Sequence, residues 1–214
     1  MADEDEIGLR ERKKIRTRET IVSVAMELFD EHGFQATTIP TIAEAADVSP
    51  RTVSTYFPSK EDIVFALWAG QKESLGRRLR DRASGESTIE AIRAWLLEER
   101  IPRQKRSLEI ERQRRVIDSD PWLQSIERNR FHEFAGMLSR EIAADLRTDE
   151  DAIEPRLAAT ALVGIFTLLS DERFRPDPIA DPEKELPRRL LDRGLAFVAG
   201  GIAALVPAPG SDRE

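Results

Sequence analysis

Three cap-and-proline signals crowd into one stretch: Thr37-Thr38 ahead of Pro40, Ser49 ahead of Pro50, and Pro58 ahead of Ser59. Serine and threonine satisfy the free amides at a helix start, and proline is tolerated only in the first turn. The chain between residues 37 and 62 therefore has room only for short helices joined by tight turns. Ile39, Ile42, Ala43 and Ala46 give the first of them a buried face, and Asp47-Val48 makes the turn. Val53, Tyr56 and Phe57 follow in the second, until Pro58 stops it. Ser59 caps a further helix with Asp62 three residues on, a capping-box arrangement.

The flanking sequence is helical throughout. Ile21, Val24, Ala25, Leu28 and Phe29 recur at three- and four-residue spacing, predicting a helix from Arg10 to about His32. Gly33 is placed to close it in a left-handed conformation, with Phe34 packing back on Phe29. Beyond Ile63 the helical pattern continues to a break at Ala83-Ser84-Gly85-Glu86, and Ser87 with Glu90 starts another helix. Asp120-Pro121 begins a long helix towards Leu146. Another spans Arg156 to about Phe174, a proline-rich loop covers 175–182, and a last helix runs from Lys184 to Leu205. No segment alternates like a strand. The fold class read from this pattern is all-α, with about nine helices: an N-terminal three-helix helix-turn-helix domain and a C-terminal helical domain, to which the family resemblance given below assigns ligand binding and dimerisation. The boundaries drawn are a disordered acidic tail over 1–9, the helix-turn-helix domain over 10–64, the regulatory domain over 65–206 and a disordered tail over 207–214.

Two short helices joined by a tight turn, the second with a polar N-terminal end, suit a reader of the DNA major groove. A helix about 10–12 Å across fits a groove about 12 Å wide, and its first turns reach the base edges. Here those side chains are Arg51, Thr52, Ser54 and Thr55, and Arg51 has the geometry for a bidentate contact to guanine. The formal charge of −7 does not oppose this, because the charges are segregated. Acidic residues 3–6 are followed by a basic run, Arg10, Arg12, Lys13, Lys14, Arg16 and Arg18, and screening over about 8–10 Å makes the local field count most.

From Arg18 to Trp68, around the core TIAEAADVSPRTVSTYFPSKEDI, the chain resembles the DNA-binding domain of the TetR family of regulators. The order of features carries the resemblance: an apolar helix ending HGF, a Thr-Thr pair, VS-P-R-T, then YFPSKEDI. It implies a cytoplasmic homodimer that binds double-stranded operator DNA and is released by a small-molecule effector, most commonly as a repressor. The DNA-contacting set it implies, together with the groove argument, is Arg12, Lys13, Lys14, Arg16, Thr38, Ser49, Arg51, Thr52, Ser54, Thr55, Tyr56 and Lys60, with Tyr56 and Lys60 on phosphates. Two positions depart from the family pattern. Glycine is frequent where Asp47 stands and an aromatic where Ser54 stands, which makes the operator less predictable.

The second domain is expected to dimerise through its last two helices. Leu157, Ala161, Leu162, Ile165, Phe166 and Leu169 are followed by Leu191, Leu195, Val198, Ile202 and Leu205, with small residues at Gly194, Ala199, Gly200 and Gly201 allowing close approach. Candidate pocket residues are Trp68, Trp95, Trp122, Phe131 and Phe134, with Arg112 and Arg115 from the basic segment 100–115. That segment reads either as a solvated helix surface or as the seat of an anionic ligand. ERQRRVIDSDPWL and PRLAATALVGIFTLL are similar to a branch that includes mycofactocin-system regulators, which implies an acyl-coenzyme A type ligand.

Composition bounds the other classes. With no cysteine and histidine only at 32 and 132, the chain has little material for a metal site, a thiol nucleophile or a histidine triad. There is no Gly-rich phosphate loop, so no enzyme and no cofactor are expected. No apolar run reaches the ~20 residues of a membrane span, and the charged N-terminus lacks a secretory signal. A constitutive DNA binder or protein-interaction module of the same fold is the competing function, distinguished by lacking a ligand response.

Overall fold

The computed structural model describes residues 8–98, 103–170 and 185–205. The predicted tails, the proline-rich loop, the end of the helix expected to reach Phe174, and Arg100 with the side chains of Arg103, Lys105 and Arg106 lie outside that description. Ten helices occur among the described residues, without a strand: α1 Leu9–His32, α2 Ile39–Ala45, α3 Pro50–Tyr56, α4 Lys60–Val64, α5 Ala66–Arg80, α6 Thr88–Glu98, α7 Arg103–Asp118, α8 Pro121–Leu146, α9 Ile153–Ser170 and α10 Glu185–Leu205.

The caps sit where local sequence chemistry requires them. Thr38 accepts from the Thr41 amide at 3.3 Å, Ser49 from Thr52 at 3.0 Å and Ser59 from Asp62 at 3.2 Å. Ser87 and Glu90 form a reciprocal box: the Ser87 amide donates to Glu90 at 2.8 Å, and the Glu90 amide donates to Ser87 at 3.3 Å. Asp120 caps α8 through the Trp122 and Leu123 amides at 2.8 and 3.3 Å.

Two local expectations are adjusted. The helix after Ser59 is broken at Phe65, whose φ of −95° and ψ of 15° leave the helical basin. Ile63, Val64, Phe65 and Ala66 are all buried. Four successive residues sweep around a straight helix at about 100° each, so one amphipathic face cannot bury them all. At Gly33 φ is +84° but ψ is 152°, so the residue is not in the left-handed helical well. Only the single Gly33 N–H to Phe29 O bond, at 3.0 Å, closes the turn. The companion expectation holds: the Phe29 and Phe34 rings lie 5.2 Å apart.

The described residues pack as two units. Among the described residues the first takes 8–71 and 103–126; the second takes 72–98, 127–170 and 185–205. Residues 103–126, assigned from sequence to the regulatory domain, thus pack with the helix-turn-helix. The first core gathers Ile21, Ala25 and Phe29 of α1, Ile42 and Ala43 of α2, Val53 of α3 and Ile63 of α4 around Phe34 and Phe57, and closes on Val116, Ile117 and Leu123. The second buries Leu75, Ile92, Trp95, Leu138, Ile142, Leu162, Leu195 and Val198, with α10 lying along α9 and α6. Arg82 ties one end of it together, bonding Thr88 at 2.8 Å, Asp145 at 3.1 Å and Glu141 at 3.4 Å. Among the described residues no helix is long and apolar enough to cross a membrane.

Candidate nucleic-acid interface

α2 packs on α3 through a turn that demands one unusual residue. Asp47 adopts φ +52°, the left-handed conformation that aspartate tolerates better than most side chains. The Asp47 and Val48 amides close the turn on Glu44 O and Ala43 O at 3.2 and 3.0 Å. α3 then turns Val53 and the following Phe57 into the core, and exposes Arg51, Ser54 and Thr55. Local bonds already orient part of this surface. The Thr55 hydroxyl donates to Arg51 O at 2.8 Å, and the Thr52 hydroxyl shares a 2.8 Å bond with Ser49. Arg51 is left as the side chain with the greatest reach outward, beside the exposed Ser54 hydroxyl. Tyr56 is partly buried against the core.

At the other end of the interface, α1 extends for several turns before its first buried residue, Ile21. Arg12, Lys13, Lys14 and Arg16 are exposed along this extension, with Lys14 3.7 Å from Glu11. The last residue of the basic run behaves differently. The Arg18 guanidinium lies 5.0 Å from the centroid of the Phe57 ring and so steadies the end of α3 from α1. Sequence reading placed Arg18 in the basic run without this role, because the contact joins positions distant in the chain.

Lys60 is also drawn inward. Its ammonium donates to Phe34 O at 2.8 Å and Thr37 O at 2.7 Å and sits 4.4 Å from the Phe34 ring centroid. Two of its three protons fasten the loop between α1 and α2, leaving one for a phosphate.

α7 reinforces the same unit with the basic residues that the sequence left open between surface and ligand. Arg112 reaches Glu27 at 3.2 Å and Asp30 at 3.7 Å, and Arg115 bonds Asp30 at 2.6 and 3.1 Å. The hydrogen bond from Arg115, reinforced by the charges of Arg115 and Arg112, holds the Asp30 carboxyl below its usual range against the opposing effect of burial. Gln113 donates to Val64 O at 2.6 Å, Gln35 to Asp120 at 2.8 Å and the Trp122 indole to Glu61 at 3.0 Å. Trp122 is 56% exposed, held at its nitrogen rather than enclosed.

The proposed pocket residues fall in both units: Trp68, Arg112, Arg115 and Trp122 in the first, Trp95, Phe131 and Phe134 in the second. In the second, Phe166 gathers the aromatics, its ring 5.6 Å from Phe134 and 6.4 Å from Trp95, whose indole donates to Ser74 at 3.0 Å. Phe166 and Ser74 were not singled out for this site, since nothing in their local spacing sets them apart from ordinary helix residues.

A capped helix pair with an exposed reading face, held on a three-helix core, defines a helix-turn-helix DNA-binding regulator. Comparison with known proteins agrees. Residues 21–67 match the family described as bacterial regulatory proteins, tetR family. The chain is 30% identical over 176 residues to the transcriptional regulator TcmR of Streptomyces glaucescens, covering 78% of this chain and 77% of TcmR. It is 26% identical to MftR of Mycobacterium tuberculosis, named a putative mycofactocin biosynthesis transcriptional regulator, over 84% of this chain and 89% of that protein. Among solved structures, a transcriptional regulator from Pseudomonas aeruginosa shares the fold with a TM-score of 0.55 at 17% identity, over 92% of this chain and 93% of its own. SmeT in complex with triclosan shares it at 0.52 and 21%, over 93% and 98%. The chain belongs to the TetR family of transcriptional regulators.

Proposed function

We propose that this protein is a ligand-responsive repressor. It binds operator DNA as a homodimer through α3 and the α1 extension, and a small-molecule effector releases it. The observation that carries the DNA reading is the exposed row of Arg51, Ser54 and Thr55 on a helix whose opposite face is fixed in the core. Arg51 reads a base edge. Thr38, Ser49, Thr52, Tyr56, the remaining Lys60 proton and the arm residues Arg12, Lys13, Lys14 and Arg16 position the protein on phosphates. The site of action follows from the partner: operator DNA in the cytoplasm.

The dimer reading rests on a face that one chain leaves bare. Leu157, Gly164 and Leu168 line an exposed stripe of α9, and Phe197, Gly200, Gly201 and Ala204 share an exposed face of α10. Phe197 is 77% exposed. Leu191, Leu195 and Val198, on the other side of α10, already fill the core. An apolar face of this extent calls for a partner, and a second copy supplies the same face by symmetry. Gly194 belongs to the inner packing: a Cβ there would lie 2.9 Å from Ile165 of the same chain. Gly200 and Gly201 have nothing within 4 Å of that position and stay open for the partner.

Effector response is supported by likeness to SmeT, whose complex with triclosan shows one protein of this fold holding a small molecule. The test is binding to the DNA upstream of the protein's own gene, against scrambled DNA, over a salt series. Arg51→Ala should lower the preference for the operator by about 1–3 kcal/mol, while Arg12→Ala should weaken binding to all sequences and flatten the salt slope. Equal affinity for both DNAs, untouched by Arg51→Ala, would overturn the reading. Operator binding that no metabolite weakens would leave a constitutive binder.

A further inference from the structure

The early turns of α1 carry more positive charge than the described fold answers. Arg12, Lys13, Lys14 and Arg16 are all exposed. Among the described residues the one ion pair these four make is Lys14 with Glu11 at 3.7 Å, exposed on both sides and of little strength. Residues 9–20 hold six basic side chains against two acidic ones, a surplus of four cations. Gly8 starts the helix without a side-chain cap, so the positive end of the helix dipole adds to the same surface.

The matching counter-charge stands next to it in the chain. Asp3, Glu4, Asp5 and Glu6 supply four carboxylates, equal in number to the surplus, and lie outside the described residues. Asp3 is five residues before Gly8 and Glu6 two. At about 3.3–3.6 Å per extended residue, the segment reaches about 17 Å from Gly8. Arg16, eight residues after Gly8, lies only about 12 Å along the helix. Residues 3–6 therefore have the length to turn back along the whole exposed arm. A group tethered this closely meets its target at an effective concentration on the order of millimolar.

We propose that residues 3–6 fold back on the α1 arm and compete with DNA phosphates for Arg12, Lys13, Lys14 and Arg16, an autoinhibitory contact that DNA displaces. The inference rests on the reading of the arm as a phosphate contact and adds its regulation. The carboxylates cover the sequence-independent part of the interface and leave Arg51 on α3 alone. They therefore lower affinity for every duplex by the same factor and keep the preference for the operator. Because the contact is built from exposed ion pairs, it fades as salt rises.

The test uses the full chain and a scrambled duplex, followed by fluorescence anisotropy over a salt series, so neither operator nor effector is needed. Changing Asp3→Asn, Glu4→Gln, Asp5→Asn and Glu6→Gln together should tighten binding about tenfold at low salt, as four weak ion pairs provide. The gain should vanish above about 300 mM salt. Neutralising Asp81, Glu150, Asp151 and Asp212 instead changes net charge equally and should gain at most about twofold. In an arm variant, Lys13→Gln with Lys14→Gln and Arg16→Gln, neutralising residues 3–6 should also gain at most about twofold, since no arm remains to uncover. In free wild type a carbodiimide should join the Lys13 or Lys14 amine to a carboxylate of residues 3–6, and DNA should suppress that coupling. Unchanged affinity on neutralising residues 3–6, or no such coupling, would overturn the proposal. So would an equal gain from the remote set, which reduces the effect to net charge. An undiminished gain in the arm variant would mean that the carboxylates repel DNA directly, and overturns it too. The arm reading is measured separately: with residues 3–6 neutralised, the arm substitutions should cost at least about tenfold, and no cost there removes that reading and the inference with it.

Discussion

Replacing Lys60 with methionine separates two roles that the same residue can play. The ammonium makes two hydrogen bonds to backbone carbonyls, at 2.8 and 2.7 Å, and lies 4.4 Å from the Phe34 ring centroid. A charged donor to a carbonyl contributes roughly 1.5–3 kcal/mol, and a partly exposed cation–ring contact roughly 0.5–1 kcal/mol. Lys60 is only half-buried, and water can rehydrate the freed carbonyls, which brings the net loss below the sum of about 3.5–7 kcal/mol for two bonds and one ring contact. Lys60→Met should therefore destabilise the fold by about 2–3 kcal/mol. For a chain of this length that is a drop in Tm of about 4–12 °C.

The alternative is that Lys60 acts only as a phosphate contact. Methionine would then leave Tm unchanged and lower the salt slope of operator binding by about 2, one phosphate for each protomer of a dimer. Thermal melts and a salt series on one preparation distinguish the two roles. The clamp, with its remaining proton on phosphate, predicts lost stability together with a reduced slope. It also predicts incomplete rescue by Lys60→Arg, because a planar guanidinium cannot place its donors as a compact ammonium does over two carbonyls. Unchanged Tm with a reduced slope, or full rescue by arginine, would refute the clamp.

Gly33→Ala should cost about 1–3 kcal/mol through backbone strain alone, since φ +84° with ψ 152° is territory that only glycine occupies readily and an added Cβ meets nothing within 4 Å. Gly33→Asn should be no better, whereas a left-handed helical cap would accept asparagine; denaturant titration of both decides it. Because the Asp30 carboxyl is held below its ordinary value of 3.8, first by the Arg115 hydrogen bond, its contribution to stability is full above about pH 4 and lost as the pH falls through the folded value. Carboxyl NMR titration should show the Asp30 pKa rising in Arg115→Gln, and an unmoved titration would sink that assignment. Gly194→Ala would bring a methyl to 2.9 Å from Ile165 and should destabilise by about 1–3 kcal/mol, with Ile165→Ala in the same chain recovering most of the loss. Additive melting shifts for that pair would show that the two residues do not share the contact.

What the sequence revealed was what local chemistry decides. Ser49 before Pro50 caps a helix wherever the chain goes, and Ser87 with Glu90 closes its box within one turn. Hence the helix order and the reading face of α3 could be read directly from residue order. Contacts over distance were hidden. Arg112 and Arg115 find their carboxylates 85 positions earlier, so the basic segment looked unneutralised when its own neighbours were counted. The clamp made by Lys60 was hidden because the carbonyls it holds lie 26 and 23 residues back. Gly194 looked like a dimer contact, though the nearest obstruction is Ile165 on a helix whose register against α10 no local pattern encodes.

These distant pairings also explain how an acidic protein can be a DNA-binding one. The net charge of −7 is a sum over the whole chain, but a phosphate samples only the charges within about 8–10 Å. α1 is the critical element, because its early turns carry Arg12, Lys13, Lys14 and Arg16 while its later turns carry Glu27 and Asp30. Left alone, those two carboxylates would place repulsive charge on a helix that must approach a polyanion. α7 prevents this with Arg112 and Arg115, each bonded to the acidic end of α1, so the carboxylates are compensated within the DNA-binding unit itself. The exposed cations of the early turns are Arg12, Lys13, Lys14 and Arg16. With the α1 arm on phosphate as proposed, the arginines of α7 would support DNA binding through these ion pairs. Substituting either one should weaken operator binding through the field and the α1–α7 packing, without reducing the number of phosphate contacts that the salt slope counts.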